Sequence, residues 1–263
     1  MKLRDNIKDR ILILDGAMGT MIQGYHLTEQ DFRGNLELLQ MLNYQGNNDM
    51  LNLSRPDIIE DIHRRYLEVG ADIISTNTFS AQRISQADYH MESFSRDIAY
   101  AGAKLARKCA DEYSTADKPR YVAGSIGPTN KTCSMSPDVS DPAKRDLTYD
   151  ALFDAYSEQV AAMIEGGIDA VLIETIFDTL NAKVAIDASL SEMKKAAIDL
   201  PIMLSVTITD LSGRTLSGQT LDAFLASVSS YPIFSVGLNC SFGAEQMRPY
   251  LKELAAKAPY YIS

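Results

Sequence analysis

Two side chains stand where an apolar run stops, and both can do chemistry. Glu174 closes the run Ala170-Val171-Leu172-Ile173, and Cys240 follows Gly237-Leu238-Asn239. A carboxylate at the mouth of a buried strand can hold a ligand ammonium; it can equally pair with a neighbouring Lys or Arg, since buried carboxylates are rare unless paired. A thiol in the corresponding place can act as a metal ligand. It can also be a small buried hydrophobe, and one cysteine alone falls short of the three or four ligands that zinc requires. A third feature is the segment Asp15-Gly16-Ala17-Met18-Gly19-Thr20. Two glycines around a small residue let backbone N–H groups approach a carboxylate or phosphate, although the spacing alone favours a tight strand-to-helix turn with positive φ at glycine.

The remaining reactive residues carry less. Asp178 lies one helical turn beyond Glu174 and reads as a helix N-cap or dipole partner. Cys109 falls on an apolar helical stripe, and Cys133 falls in the loop Thr129 to Ser140, so neither reads as a ligand. His26, His63 and His90 are scattered, with His63 on the first full helix. No Ser-His-Asp spacing, P-loop or His-Glu-x-x-His motif is present, which leaves hydrolase and kinase readings without support.

The elements that must position these residues alternate. Short runs rich in Val, Ile and Leu, expected as strands, are Ile11 to Leu14, Asp72 to Thr76, Tyr121 to Ser125, Ala170 to Glu174, Ile202 to Thr207 and Ile233 to Asn239, with a last one at Tyr260 to Ser263. Between them lie helical stripes. Pro56 and Asp57 open one that carries Ile58, Ile62 and Tyr66 and ends at Gly70. Others run through Ile98, Gly102, Leu105 and Cys109, through Leu152, Tyr156, Val160 and Met163, through Leu221, Phe224, Leu225 and Val228, and through Met247, Leu251 and Leu254. Repeated βα units predict an α/β fold with a parallel sheet. About six and a half units are present, which predicts a (β/α)8 TIM-type barrel left incomplete, because the sequence stops inside an apolar strand pattern. In such barrels the chemistry sits at the carboxyl ends of the strands, here Asp15, Thr76-Asn77-Thr78, Ser125, Glu174-Thr175, Thr207 to Asp210 and Asn239-Cys240.

Composition bounds the rest. The chain has 263 residues, of which 46% are hydrophobic and 23% charged, enough for one sizeable core, and no Pro/Gly/Ser-rich linker divides residues 1–263. A net charge of −10 without a basic stripe argues against nucleic acid. No apolar stretch approaches the roughly 20 residues that span a bilayer, and the first ten residues lack a signal-peptide core. Three widely spaced cysteines fit a reducing compartment, so a cytoplasmic protein is expected.

Taken as a set, the motifs resemble the N-terminal homocysteine-binding modules of cobalamin-dependent methionine synthases, a family related to the betaine-homocysteine methyltransferases. The landmarks are Leu14 to Thr20, Gly46-Asn47-Asn48-Asp49, Asp72 to Phe79, Ala123 to Asn130, Ile173 to Lys183, Ser212 to Gln219 and Gly237 to Cys240, spread over essentially the whole chain. The resemblance implies a (β/α)8 barrel whose zinc is held by three cysteine thiolates, the first matching Cys240. The other two belong to a Gly-Gly-Cys-Cys run expected beyond Ser263. It further implies that the backbone of Asp15, Gly16, Ala17 and Met18 receives the homocysteine carboxylate, that Glu174 holds its ammonium, and that Asn239 shapes the site beside the metal. In the family, zinc-bound homocysteine thiolate accepts a methyl group from methylcobalamin to give methionine. Methylcobalamin and methyltetrahydrofolate are handled by cobalamin-binding and folate-binding modules of the same polypeptide, so this chain would supply the acceptor half-site.

Two other readings compete. The chain on its own would be a non-catalytic binding module or folding fragment, incomplete without the remaining zinc ligands. An aldolase or isomerase barrel using the glycine-rich loop for phosphate lacks a catalytic lysine at a strand end.

Overall fold

Apolar runs without polar alternation form strands covered on both faces, as a parallel sheet with helices between its strands demands. The computed structural model describes residues 3–36, 42–209 and 212–263. Its strands are β1 (Ile73–Ser75), β2 (Tyr121–Ile126), β3 (Ala170–Ile176), β4 (Ile202–Val206), β5 (Ser235–Leu238) and β6 (Tyr261–Ile262). Every residue of β2 and β4 is buried. The helices that bear on the site are α1 (Met18–Gln23), α2 (Pro56–Glu68), α3 (Ser95–Tyr113), α4 (Tyr149–Gly166), α5 (Thr179–Lys195), α6 (Leu221–Val228) and α7 (Ala244–Lys257). The strands are parallel and follow chain order, an α/β fold consistent with an incomplete TIM-type barrel. No helix among the described residues is long and apolar enough to cross a membrane.

The chain gathers into two compact units, 1–125 with 158–170, and 126–157 with 171–263. In the first, β1 pairs with β2, Ile73 opposite Tyr121 and Ser75 opposite Ala123. Pro56 occupies the first turn of α2, where its missing N–H costs nothing, and Gly70 at φ +110° turns the chain away past the helix end. The stripe of α2 buries Ile58, Ile59, Ile62 and Leu67 and packs on α3. Gly102 of α3 marks a close approach. A Cβ there would lie 2.6 Å from Asn52 Nδ2, whose amide donates to the carbonyls of Asn77 at 2.7 Å and Ile98 at 3.1 Å.

The expected strand Ile11 to Leu14 is reduced to one bridge, Leu14 beside Ile73. The reason lies in Asp72, 1% exposed, which takes the Arg10 guanidinium through two 2.8 Å hydrogen bonds and accepts the Ile13 N–H at 2.9 Å. Burial would raise this carboxyl, but Arg10 and the Ile13 N–H hold it below its ordinary range. The Ile13 carbonyl then accepts from both Asp72 N and Ile73 N, which spoils the even spacing of a parallel ladder. Ile11 and Ile13 remain exposed.

In the second unit β3, β4, β5 and β6 pair in sequence, with Leu204 opposite Val236 and Ser235 opposite Tyr261. Between Ile173 and Ile176 the β3–β4 register shifts: two residues of β3, Glu174 and Thr175, face a single residue of β4, Ser205. This is a β-bulge. The expected stripe of α7 is buried only at Leu254; α7 packs on β5 and α6, and Leu251 stays 39% exposed.

His63 of α2 is fully buried, and its two ring nitrogens have no hydrogen-bond partner among the described residues. Burial pushes its pKa down from 6.5 to about 4. The folded chain therefore keeps this imidazole neutral to about pH 4, whereas the unfolded chain protonates it below about pH 6.5. Its contribution is complete above pH 6.5 and is lost as the pH falls toward 4. Denaturant unfolding at pH 7 and pH 5 should show a loss of about 2 kcal/mol from this residue, at about 1.4 kcal/mol per unit. His63→Leu should lose correspondingly less on acidification, and equal losses in both proteins would exclude His63 as the titrating group.

Candidate active site

Glu174 and Thr175 occupy the bulge of β3, and Asn239 and Cys240 follow the last residue of β5. The bulge takes the Thr175 N–H out of the β3–β4 ladder. That N–H donates instead to the side-chain carbonyl of Asn239 at 3.1 Å, and the Ser205 hydroxyl donates to the same oxygen at 2.9 Å. The Asn239 amide nitrogen faces Thr175 Oγ1 at 2.8 Å, Glu174 Oε2 at 3.3 Å and Cys240 Sγ at 3.4 Å. One carboxamide thus touches both the carboxylate and the thiol singled out from the sequence. The Asn239 main-chain carbonyl accepts the hydroxyls of Thr207 at 3.1 Å and Ser241 at 3.0 Å, which fixes the turn after β5.

Thr175 and Cys240 both adopt left-handed backbone, at φ +57° and +50°. For a β-branched residue this is an outlier, costing about 1–3 kcal/mol and persisting only where the surroundings determine it. Here the two residues adjoin, with the Thr175 hydroxyl 3.8 Å from the Cys240 sulfur. Cys240 is exposed, whereas Cys109 and Cys133 are buried. Burial pushes the Cys109 thiol up to about 11 and raises that of Cys133. Cys133 does lie in the expected loop, but it is held there, its N–H donating to Asn181 Oδ1 at 2.9 Å.

Asp178 is the N-cap of α5, its carboxylate accepting the N–H groups of Leu180 at 2.8 Å and Asn181 at 3.2 Å. Glu174 borders a crevice of about 10 Å³ shared with Gly127, Pro128, Tyr156 and Asp178. A roomier cleft of about 320 Å³ opens along the first turns of α5, between Ser134, Lys183 and Gln219. Glu174, Asn239 and Cys240 do not line it. In the first unit Asp15 accepts the N–H of Ser75 at 2.8 Å and its hydroxyl at 2.7 Å, so its side chain anchors the loop to β1. Neither Gly16 nor Gly19 has positive φ, against the expected turn. Gly16 instead leaves space for Tyr66, whose ring would have to shift because a Cβ would meet its hydroxyl at 2.9 Å. Asp210 lies outside the described residues.

The donor set decides how far a zinc fits. Cys240 offers one thiol, and the polar atoms near its sulfur belong to Thr175 and Asn239, which are not customary zinc ligands. Among the described residues no three His, Cys, Asp or Glu side chains come together. These residues do not make a zinc site by themselves.

A parallel α/β fold carrying a carboxylate and a thiol at the ends of β3 and β5, the two strands that flank β4, defines a barrel-type protein with its reactive groups at the carboxyl ends of the strands. The chain belongs to the homocysteine S-methyltransferase family, whose sequence model matches residues 12–263. Among solved structures it is similar to the homocysteine methyltransferase MmuM from Escherichia coli. The metallated form has a TM-score of 0.75 at 20% identity, covering 99% of this chain and 85% of that one. The apo form has a TM-score of 0.70 at 21% identity, covering 99% and 83%. At this identity the likeness is one of fold.

Sequence reasoning places Thr175 at a strand end without giving it a role and does not mark Ser205, because neither a bulge nor left-handed threonine carries a residue signature. The unequal burial of the cysteines has a direct readout. In the native protein iodoacetamide should alkylate one thiol, Cys240, and three after unfolding. Mass spectrometry of Cys240→Ser should show no rapid labelling, and labelling at Cys109 or Cys133 in the native state would contradict the burial.

Proposed function

We propose that this chain binds homocysteine at Glu174, Asn239 and Cys240 and presents its sulfur for methylation, as the acceptor half-site of a methionine synthase. The observation that carries the reading is the shared carboxamide. Asn239 holds a carboxylate and a thiol at the ends of the two strands that flank β4, in a chain of the homocysteine S-methyltransferase family. An anionic oxygen suits the ammonium of an amino acid, and the exposed thiol side marks where the substrate sulfur would lie. The reaction forms a bond from sulfur to the methyl carbon as the bond from donor to methyl breaks, and the homocysteine thiol gives up its proton.

The assignment of the homocysteine carboxylate to the backbone of Asp15, Gly16, Ala17 and Met18 is proposed on the family resemblance. So are methylcobalamin as the donor, its presentation by a cobalamin-binding module, and a folate-binding module that restores it with methyltetrahydrofolate. A cytoplasmic setting is proposed on the cysteine usage. Zinc, when bound in this family, keeps a thiol deprotonated, and Cys240 is the residue this chain would give it. With a single such donor among the described residues, the chain does not complete a metal centre by itself. That single donor also favours a second reading, a module that binds homocysteine without turning it over.

Calorimetry with homocysteine tests the first reading, and methionine formation from a supplied methyl donor separates it from the second. Glu174→Gln should weaken homocysteine binding roughly tenfold to a hundredfold, the worth of a charge-assisted hydrogen bond of about 1.5–3 kcal/mol. Unchanged affinity would remove Glu174 from the site.

A further inference from the structure

A carboxamide can be turned end for end with little change of shape, so an asparagine that must present its nitrogen needs something to forbid the flip. Around Asn239 that something is found on one neighbouring residue. The Thr175 N–H can only donate, so the atom facing it at 3.1 Å must be the carbonyl oxygen. The Thr175 hydroxyl, 2.8 Å from the amide nitrogen, accepts from the other end of the same group. The N–H sets the orientation in which Nδ2 faces Glu174 Oε2 and Cys240 Sγ, and the hydroxyl, which could serve either end, then accepts from that nitrogen and holds it in place. Ser205 adds a third contact, but its hydroxyl can donate or accept and would tolerate either orientation.

Both contacts depend on the backbone of Thr175. The bulge releases its N–H from the ladder, and φ +57° turns N–H and side chain toward the end of β5. We propose that Thr175 is a positioning residue, whose left-handed backbone N–H orients the Asn239 carboxamide and whose hydroxyl holds the nitrogen so presented, so that this nitrogen serves Glu174 and Cys240. This rests on the reading of those two residues as substrate groups. It gives a reason for a strained β-branched residue where glycine would be comfortable: glycine would supply the N–H but not the hydroxyl.

The test uses Thr175→Ser, Thr175→Ala and Thr175→Gly of this chain, with two readouts. The first is the side-chain amide resonance pair of Asn239 in ligand-free protein, assigned by its loss in Asn239→Asp. Thr175→Ser should retain the wild-type pair, and Thr175→Ala should move it toward the position of a free carboxamide. The second is homocysteine affinity by calorimetry, expected within about twofold of wild type for serine and about tenfold weaker for alanine and glycine, the loss of one hydrogen-bonded contact. Thr175→Gly should nonetheless match or exceed the wild-type denaturation midpoint, because it relieves the left-handed strain. A merely structural residue would lose affinity and stability together. The proposal is overturned if the Asn239 pair stays in place in Thr175→Ala, or if either the alanine or the glycine variant binds with wild-type affinity. If the wild-type chain binds no homocysteine, the functional reading falls, and the resonance pair alone decides the positioning role.

Discussion

A main-chain N–H has one thing it can do, which is to donate, and the candidate site is organised around that restriction. The Thr175 N–H faces the Asn239 carbonyl oxygen, so the amide nitrogen must turn toward Glu174 and Cys240. The side chains that could do chemistry are therefore held by a residue that does none. Behind it stands the rest of the second unit: β4 supplies Ser205, and Thr207 and Ser241 fix the carbonyl of Asn239 from the main-chain side. Left-handed backbone at two non-glycine residues is sustained because these neighbours leave few alternatives.

The three thiols show how position rather than residue type confers reactivity. Cys109 packs on the apolar face of α3, where burial opposes ionisation. Cys133 is buried in its loop with its main chain tied to Asn181 and Arg145. Cys240 alone is exposed, at a strand end, with polar hydrogens directed at its sulfur. An asparagine and a threonine beside one thiol favour ordering the site over binding a metal unaided.

Much of the fold was legible in the sequence, because a buried parallel strand must be apolar on both faces and a helix must end somewhere. Six of the seven expected strands appear within a few residues of their predicted limits, and Pro56, Gly70 and Asp178 open or close helices as their chemistry requires. Ile11 to Leu14 reads as a strand by composition but is diverted by Asp72, a long-range carboxylate that no local pattern announces. Glycine in the first loop was read as a torsional requirement and proved to be a steric one, set by Tyr66 from another element. Leu251 fits the period of α7 yet has too little packed against it. At the site, Glu174 and Cys240 were legible because polar residues at the ends of apolar runs stand out. The roles of Thr175 and Ser205 were not, since they come from a register shift that exists only once two strands are paired.

That register shift makes length itself a structural quantity in β3. Side chains alternate along a strand, so one extra residue in the bulge returns the alternation to phase and lets Ile176 bury against the protein while Glu174 and Thr175 sit half-buried before it. Removing a single residue between Ile173 and Ile176 would restore a flush ladder with Ile176 still opposite Val206, but the one residue left before it would be drawn back into pairing with β4. Different amino acids at these positions would alter the chemistry of the site by degrees. A different number of them would leave no residue outside the ladder for the site to use.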